Sequence, residues 1–295
     1  MPLSLPGRLL CASTQAYSIR GAGPVADTLP PPNPPRSALV GYVGPVTGFD
    51  TGADLIDAGL VAVAADSVIV AFRGTFPPGG PDVGQVVLDW ANDADAPLLP
   101  GAGLPGLVHQ GFLDALDALW PTMLPAIEAA ALAVPGKPIY VTGHSKGGAM
   151  AFLAAYRIKT ALPGAQVVVR SFAAARAGDA AFAAAYDAAL PDTLRYEYAD
   201  DIVPHLPPGD VLIAALKDIP FVGGVLGGLT VGYISAGQLQ YIASDGSIQA
   251  DSPALKDSRI KNLVNRLRAF DFQTIADDHS ISLGSGYAGA ICPGD

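Results

Sequence analysis

Ser145 stands in Gly143-His144-Ser145-Lys146-Gly147, a hydroxyl with a glycine two residues away on either side. A serine hydroxyl becomes a nucleophile when a base takes its proton and a carboxylate holds that base in the right tautomer. The chain offers four histidines, His109, His144, His205 and His279, and an aspartate pair, Asp200 and Asp201. Acyl transfer through a covalent intermediate is the chemistry such a set could perform. With 34 glycines in the chain the five-residue pattern is weak by itself, so its setting has to carry it.

The setting is favourable. In residues 138–151, PIYVTGHSKGGAMA, an apolar run reads as a short buried strand that enters the serine turn. GAMAFLAAYRIKTAL then reads as one helix, stopped by Pro163 and Gly164. Strand, sharp turn and helix in that order push the hydroxyl out of a sheet and aim the free N–H groups of the helix start at it. His144 adjoins the serine and should point away from its hydroxyl, which makes it a buried packing residue. His109 precedes the nucleophile, whereas the order in α/β-hydrolases is serine, acid, histidine. His205, inside IVPHLPP, reads as part of a turn, so His279 remains as the base. Spacing alone leaves Asp200 and Asp201 open as the acid.

The flanking elements predict the frame. A short N-terminal helix precedes a proline cluster at 21–37, read as an extended surface connection, and residues 39–75 read as antiparallel strands of one sheet. A helix over 112–133, with Pro121 and Pro125 kinking it, follows a long punctuated loop. After the serine helix come a strand (QVVVRSFA), a helix (GDAAFAAAYDAAL) and a strand (LRYEYA) that runs into Asp200 and Asp201. Such alternation predicts an α/β fold in one domain spanning 1–295, a mostly parallel central sheet flanked by helices, with sites at strand C-terminal ends. A strand end at LQYIAS, a turn at Asp245 and Gly246, an amphipathic helix (DSRIKNLVNRLRAF) and a terminal loop carrying His279 complete the expectation.

Two stretches are candidates for covering a site. Residues 76–96 hold a short amphipathic piece, VGQVVLDWANDA, between FPPGGPD and LLPGAGLPG, which reads as a lid or as a surface loop with a packed Trp90. Residues 211–234 are the most apolar part of the chain, but Lys217, Asp218 and Pro220 break them below the roughly 18–20 residues a membrane span needs. They read as a flap or acyl-chain wall, or as plain core.

Composition excludes several classes. A net charge of −10 with no Lys/Arg cluster argues against nucleic acid. No H-x₃-H or C-x₂-C pair suggests a metal, no cofactor loop is present, and no cofactor is expected. Residues 1–14 lack the apolar run of roughly 7–15 residues of a secretory signal, so a soluble chain of unspecified compartment is expected. Cys11 and Cys292 would close a very long loop if bridged, and the oligomeric state is not readable.

AFRGT, DWANDA, VHQGF, TGHSKGG, DIVPHLPP and DHS occur in an order that resembles the fungal-type, class 3 lipase family, over residues 70–287. The resemblance implies an α/β-hydrolase fold with a lid loop around Trp90 and a serine carboxylic-ester hydrolase acting on acylglycerols or other fatty-acid esters. Short-chain, phospholipid and aryl-ester hydrolysis, or lipid binding without turnover, are the alternatives. By position it implies Asp201 as the acid, His279 as the base, and the backbone N–H groups of Thr75 and Lys146 as oxyanion donors. Phe76, Val86, Trp90 and Phe221 are the expected substrate contacts, with a lipid–water interface as the place of action. Three departures stand out. Lys146 replaces a frequent leucine, and as a cation in a helix's first turn it is disfavoured by about 0.3–1 kcal/mol unless its side chain reaches solvent or an acid. FAAARAG replaces G-x-P-x-x-G, and the apolar 211–234 segment is longer than the family pattern.

Overall fold

Ser67–Phe72 is buried along its whole length, as a strand covered by helices on both faces must be. Its even members Val68, Val70 and Phe72 enter one apolar cluster, while Ile69 and Ala71 enter another on the opposite face. Helices cover both of those faces. The computed structural model describes residues 3–27, 35–51, 57–75, 96–216, 232–281 and 286–292. The predicted lid therefore lies outside the described residues except for Ala96, as do residues 217–231 of the apolar stretch.

In chain order, helix α1 (Leu5–Ala16) starts at Ser4, whose hydroxyl accepts from the Gly7 N–H. Strand β1 (Gly23–Pro24), helix α2 (Arg36–Val40) and strands β2 (Tyr42–Thr51), β3 (Asp57–Ala64) and β4 (Ser67–Phe72) follow. Next come β5 (Leu98–Leu99), β6 (Val108–His109), α3 (Gln110–Ala133), β7 (Ile139–His144) and α4 (Lys146–Ala161). Then β8 (Val167–Phe172), β9 (Gly178–Asp179), α5 (Ala180–Ala189), β10 (Leu194–Tyr198) and a single 3-10 turn (Val203–His205) lead to α6 (Asp210–Leu216). The chain continues through β11 (Tyr233–Ile234), β12 (Gln238–Ile242), β13 (Ile248–Ala250), α7 (Pro253–Arg268), α8 (Phe272–His279) and α9 (Gly286–Ile291).

The main sheet has the order β1-β2-β3-β4-β7-β8-β10-β12-β13. Strands β4, β7, β8, β10 and β12 pair in parallel, and antiparallel strands extend both edges. Phe72 pairs with Gly143 and His144 with Phe172, so three neighbouring strands end level, at the edge where connections in a parallel sheet form sites. A small antiparallel sheet, β11-β9-β6-β5, stands apart.

Helices α3 and α4 cover one face with a stripe at helical spacing, Phe112, Leu116, Leu119, Met123 and Ile127 on α3 being buried. Pro121 and Pro125 lie inside α3 on its exposed side. Helix α1 covers the other face, where the Ser13 and Thr142 hydroxyls meet at 2.9 Å and Arg8 forks onto Asp66 at 2.7 Å. Cys11 and Cys292 both pack against this second cluster.

Two local expectations change. Leu39 and Val40 close helix α2, which Gly41 ends at φ 85°, so the strand expected from Leu39 begins only at Tyr42. The C-terminal segment is helical where a loop was expected. Asp271 caps α8 by accepting from the Thr274 N–H, placing His279 at a helix end, and α9 follows. Both helices, of 8 and 6 residues, are too short to announce themselves by periodicity.

Met123 is fully buried beneath Gly59, where an added Cβ would sit 3.0 Å from its methyl carbon. Met123→Ala should lower unfolding free energy by about 2–5 kcal/mol. Urea melts with unchanged slope would check it, and an unchanged midpoint would contradict this packing.

Candidate active site

Ser145 has φ 59° and ψ −129°, a conformation rare outside glycine and one that marks stored strain. Close approach explains its flanks. A Cβ at Gly143 would lie 2.1 Å from the Gly147 carbonyl oxygen, and one at Gly147 would lie 2.3 Å from that of Phe72. Only glycines let β4, β7 and α4 converge this tightly, and the serine stands at the tip of the turn they make.

His279 reaches this tip from the far end of the chain. Its Nε2 lies 3.0 Å from the Ser145 Oγ, and its Nδ1 lies 3.0 and 3.1 Å from the two oxygens of Asp201. A carboxylate can only accept, so Nδ1 carries the proton and donates it, which leaves Nε2 to accept from the serine hydroxyl. All three residues are buried. Asp201 is held by two further donors, the Val203 amide at 3.0 Å on Oδ1 and the Tyr287 hydroxyl at 2.7 Å on Oδ2.

Asp200 faces elsewhere. Its carboxylate accepts from Arg266 at 2.9 Å while its amide donates to Asp278. Thr75, half-buried, ends the described part of the loop after β4 and follows Gly74, where an added Cβ would lie 2.8 Å from the Ser145 Cβ, and Lys146 opens α4 directly after the serine. The Lys146 ammonium pairs with Asp57 at the start of β3, which answers the helix-start penalty. Phe76, Val86, Trp90 and Phe221 lie outside the described residues.

The other histidines have separate duties. His109 caps α3 by accepting from the Phe112 N–H and stacks on the Phe112 ring at 3.8 Å. His205 is buried beside Arg259, and burial together with that guanidinium pushes its imidazole down to about 3. Its neighbour Glu197 is pushed up by burial, yet Arg259 and Arg195 bring it down to about 2. His144 does more than pack: it hydrogen-bonds the Tyr17 hydroxyl and the His279 carbonyl. Tyr17 and Tyr287 carry no motif of their own and escape a reading by spacing, and Asp278 opens the DHS motif without a role read for it there. Among the described residues no group of three or more metal-type ligands exists, and no helix is long and apolar enough to cross a membrane.

A five-stranded parallel core with a serine on a strained strand-to-helix turn, an aspartate after β10 and a late histidine defines an α/β-hydrolase. Residues 69–211 match the family model described as Lipase (class 3). This matched region belongs to the class 3, fungal-type lipase family. It is 30% identical to Lipase ZK262.3 of Caenorhabditis elegans over 210 residues, covering 68% of this chain and 54% of that protein. It is 32% identical over 178 residues to secreted mono- and diacylglycerol lipase 1 of Fusarium solani, covering 58% and 47%. The chain thus spans about half, or less, of the length of the curated relatives it matches. Among solved structures, a triacylglycerol lipase described as having a serine protease triad superposes with TM-score 0.64 at 20% identity, covering 87% of this chain and 89% of the other. A mutant form from Penicillium cyclopium gives 0.60 at 18%, covering 88% and 87%. At such identities the likeness establishes the shared fold.

Burial, joined by the charges of Asp200 and Asp201, pushes the Asp278 carboxyl up to about 6 against the pull of the Asp200 amide. The folded protein therefore holds this proton more tightly than the unfolded chain, whose value is near 3.8. That contribution to stability is complete below 3.8 and is lost as pH rises through 6. Asp278→Asn keeps an acceptor for the Asp200 amide and has no charge to bury. The Tm of this variant relative to wild type should rise between acid and mildly alkaline buffer, and a pH-independent difference would contradict the raised value.

Proposed function

We propose that the chain is a serine carboxylic-ester hydrolase, a lipase that cleaves fatty-acyl esters such as acylglycerols through an acyl-enzyme. The observation that carries this reading is the unbroken hydrogen-bonded line from the Ser145 Oγ through His279 to Asp201. In this mechanism the Ser145 oxygen attacks the ester carbonyl carbon while Nε2 of His279 takes the hydroxyl proton. Asp201 steadies the imidazolium, and the backbone N–H groups of Thr75 and Lys146 hold the oxyanion. The tetrahedral intermediate collapses, the C–O bond to the alcohol breaks, and His279 returns its proton to the leaving oxygen. Water repeats the cycle on the acyl-enzyme, releasing the fatty acid and restoring Ser145.

Acylglycerol substrates are supported by family membership and by relatives described as mono- and diacylglycerol lipases. A rice relative described as a phospholipase A1 keeps phospholipids as the second substrate class. Action at a lipid–water interface agrees with the apolar Leu99 and Ile234, exposed on the outer strands of the small sheet. Phe76, Val86, Trp90 and Phe221 are proposed to line the acyl path.

Ser145→Ala should abolish hydrolysis of p-nitrophenyl esters and covalent labelling by a fluorophosphonate while its melting curve stays cooperative. Retained turnover would remove Ser145 from the mechanism. Rates should rise with acyl length and jump once the ester exceeds its solubility. A profile that peaks at acetate and shows no jump would replace the lipase by a short-chain esterase.

A further inference from the structure

Behind the triad runs a second hydrogen-bonded line that the acyl-transfer steps do not use. The Tyr17 hydroxyl, at the C-cap of α1, lies 2.7 Å from Nδ1 of His144. Nε2 of His144 lies 2.9 Å from the backbone carbonyl oxygen of His279, and the two imidazole rings stand 4.6 Å apart. At the other end the Tyr17 oxygen packs against the Gly74 backbone. A Cβ on Gly74 would come within 2.4 Å of that oxygen and 2.8 Å of the Ser145 Cβ, so a side chain there would drive the line apart.

One proton arrangement satisfies every member. A carbonyl oxygen accepts only, so His144 carries its proton on Nε2 and donates it to His279. Nδ1 is then a lone pair that takes the Tyr17 hydroxyl proton. Burial, and the second imidazole beside it, hold His144 uncharged. Burial likewise holds the phenol protonated.

We propose that Tyr17 and His144 are positioning residues, a strut that ties the loop at Gly74 and Thr75 to the backbone of His279. It rests on the reading of Ser145, Asp201 and His279 as the working triad and deepens it. The strut fixes the spacing between oxyanion donors and base, and it makes α1 part of the frame of the site. Helix α1 is anchored for this task by the Ser13 contact to Thr142 on β7, the strand that ends at His144.

The strut touches neither substrate nor the reacting atoms, so its loss should appear in kcat and leave KM nearly unchanged. The experiment measures both constants for Tyr17→Phe, His144→Leu, His144→Gln and the Tyr17→Phe/His144→Leu double variant, per Ser145 titrated with a fluorophosphonate. Tyr17→Phe and His144→Leu should each lower kcat about tenfold. The double variant should be no worse than either alone, because the strut is broken once. His144→Gln, which offers an amide N–H to His279 and a carbonyl to Tyr17, should recover most of the loss. Should His144→Leu fail to fold, Tyr17→Phe, which keeps the ring, and His144→Gln decide. Full kcat in Tyr17→Phe, losses confined to KM, or losses that multiply in the double variant would overturn the strut. Ser145→Ala separates the two ideas: turnover there sinks the triad, whereas a dead Ser145→Ala beside a full-rate Tyr17→Phe sinks the strut alone.

Discussion

An imidazole can serve a hydroxyl on one side and a carboxylate on the other only if its ring is gripped in the plane of both. His279 lies 134 positions from Ser145 and 78 from Asp201, so nothing local can supply that grip. The sheet supplies the two fixed points, by ending β7 at the serine turn and β10 just before the aspartate. The third point depends on what holds the chain after α7. Ile275 is buried in the larger apolar cluster, Tyr287 reaches Asp201, and the His279 carbonyl accepts from His144. Each contact joins the C-terminal helices to a different part of the sheet, so the ring has little freedom left.

Two buried carboxylates four residues apart receive opposite treatment. Glu197 on β10 is met by two guanidinium groups, which satisfy the charge and neutralise its field. Asp201 is met by an amide, a phenol and the imidazole itself. Neutral donors hold a carboxylate in place while leaving its charge to act on whatever forms beside it. An imidazolium at His279 would feel that charge almost undiminished. Spacing alone does not tell these carboxylates apart, since both stand near the end of one strand. The difference lies in the arginines of β10 and α7, which fold topology brings to one and not the other.

Legibility followed periodicity and punctuation. The parallel core was readable because apolar runs such as residues 167–172 alternate with helices that stop at proline and glycine, as Pro163 and Gly164 stop α4. That Ser145 and His279 meet could be anticipated from their order along the chain, because the order is a property of the topology. Asp200 and Asp201 could not be separated by spacing. Arg266 and Asp278, remote in sequence, turn Asp200 away. His144 shows the opposite limit: burial was foreseeable from its place beside the serine, yet its ring nitrogens are used by Tyr17 and His279, which no local pattern connects. Helices α8 and α9 were hidden because they are short and held by caps and tertiary contacts.

Lys146 is where this chain departs from its family, and the departure fits the frame. A cation in the first turn of α4 opposes the helix dipole, and Asp57 answers it at the start of β3. The neighbouring residue Ala58 accepts, through its carbonyl, from the Arg73 amide at 3.0 Å, so the start of β3 already borders the loop that leads to Gly74 and Thr75. The ion pair therefore joins the first residue after Ser145 to the strand that borders the loop at Gly74 and Thr75. Tyr17 and His144 join that same loop to the base. A leucine at 146 could fill space there, but it could not pull β3 and α4 together, and Asp57 would lose this ion pair. The two ties divide the work: one sets where the loop stands relative to the serine helix, the other where it stands relative to the histidine.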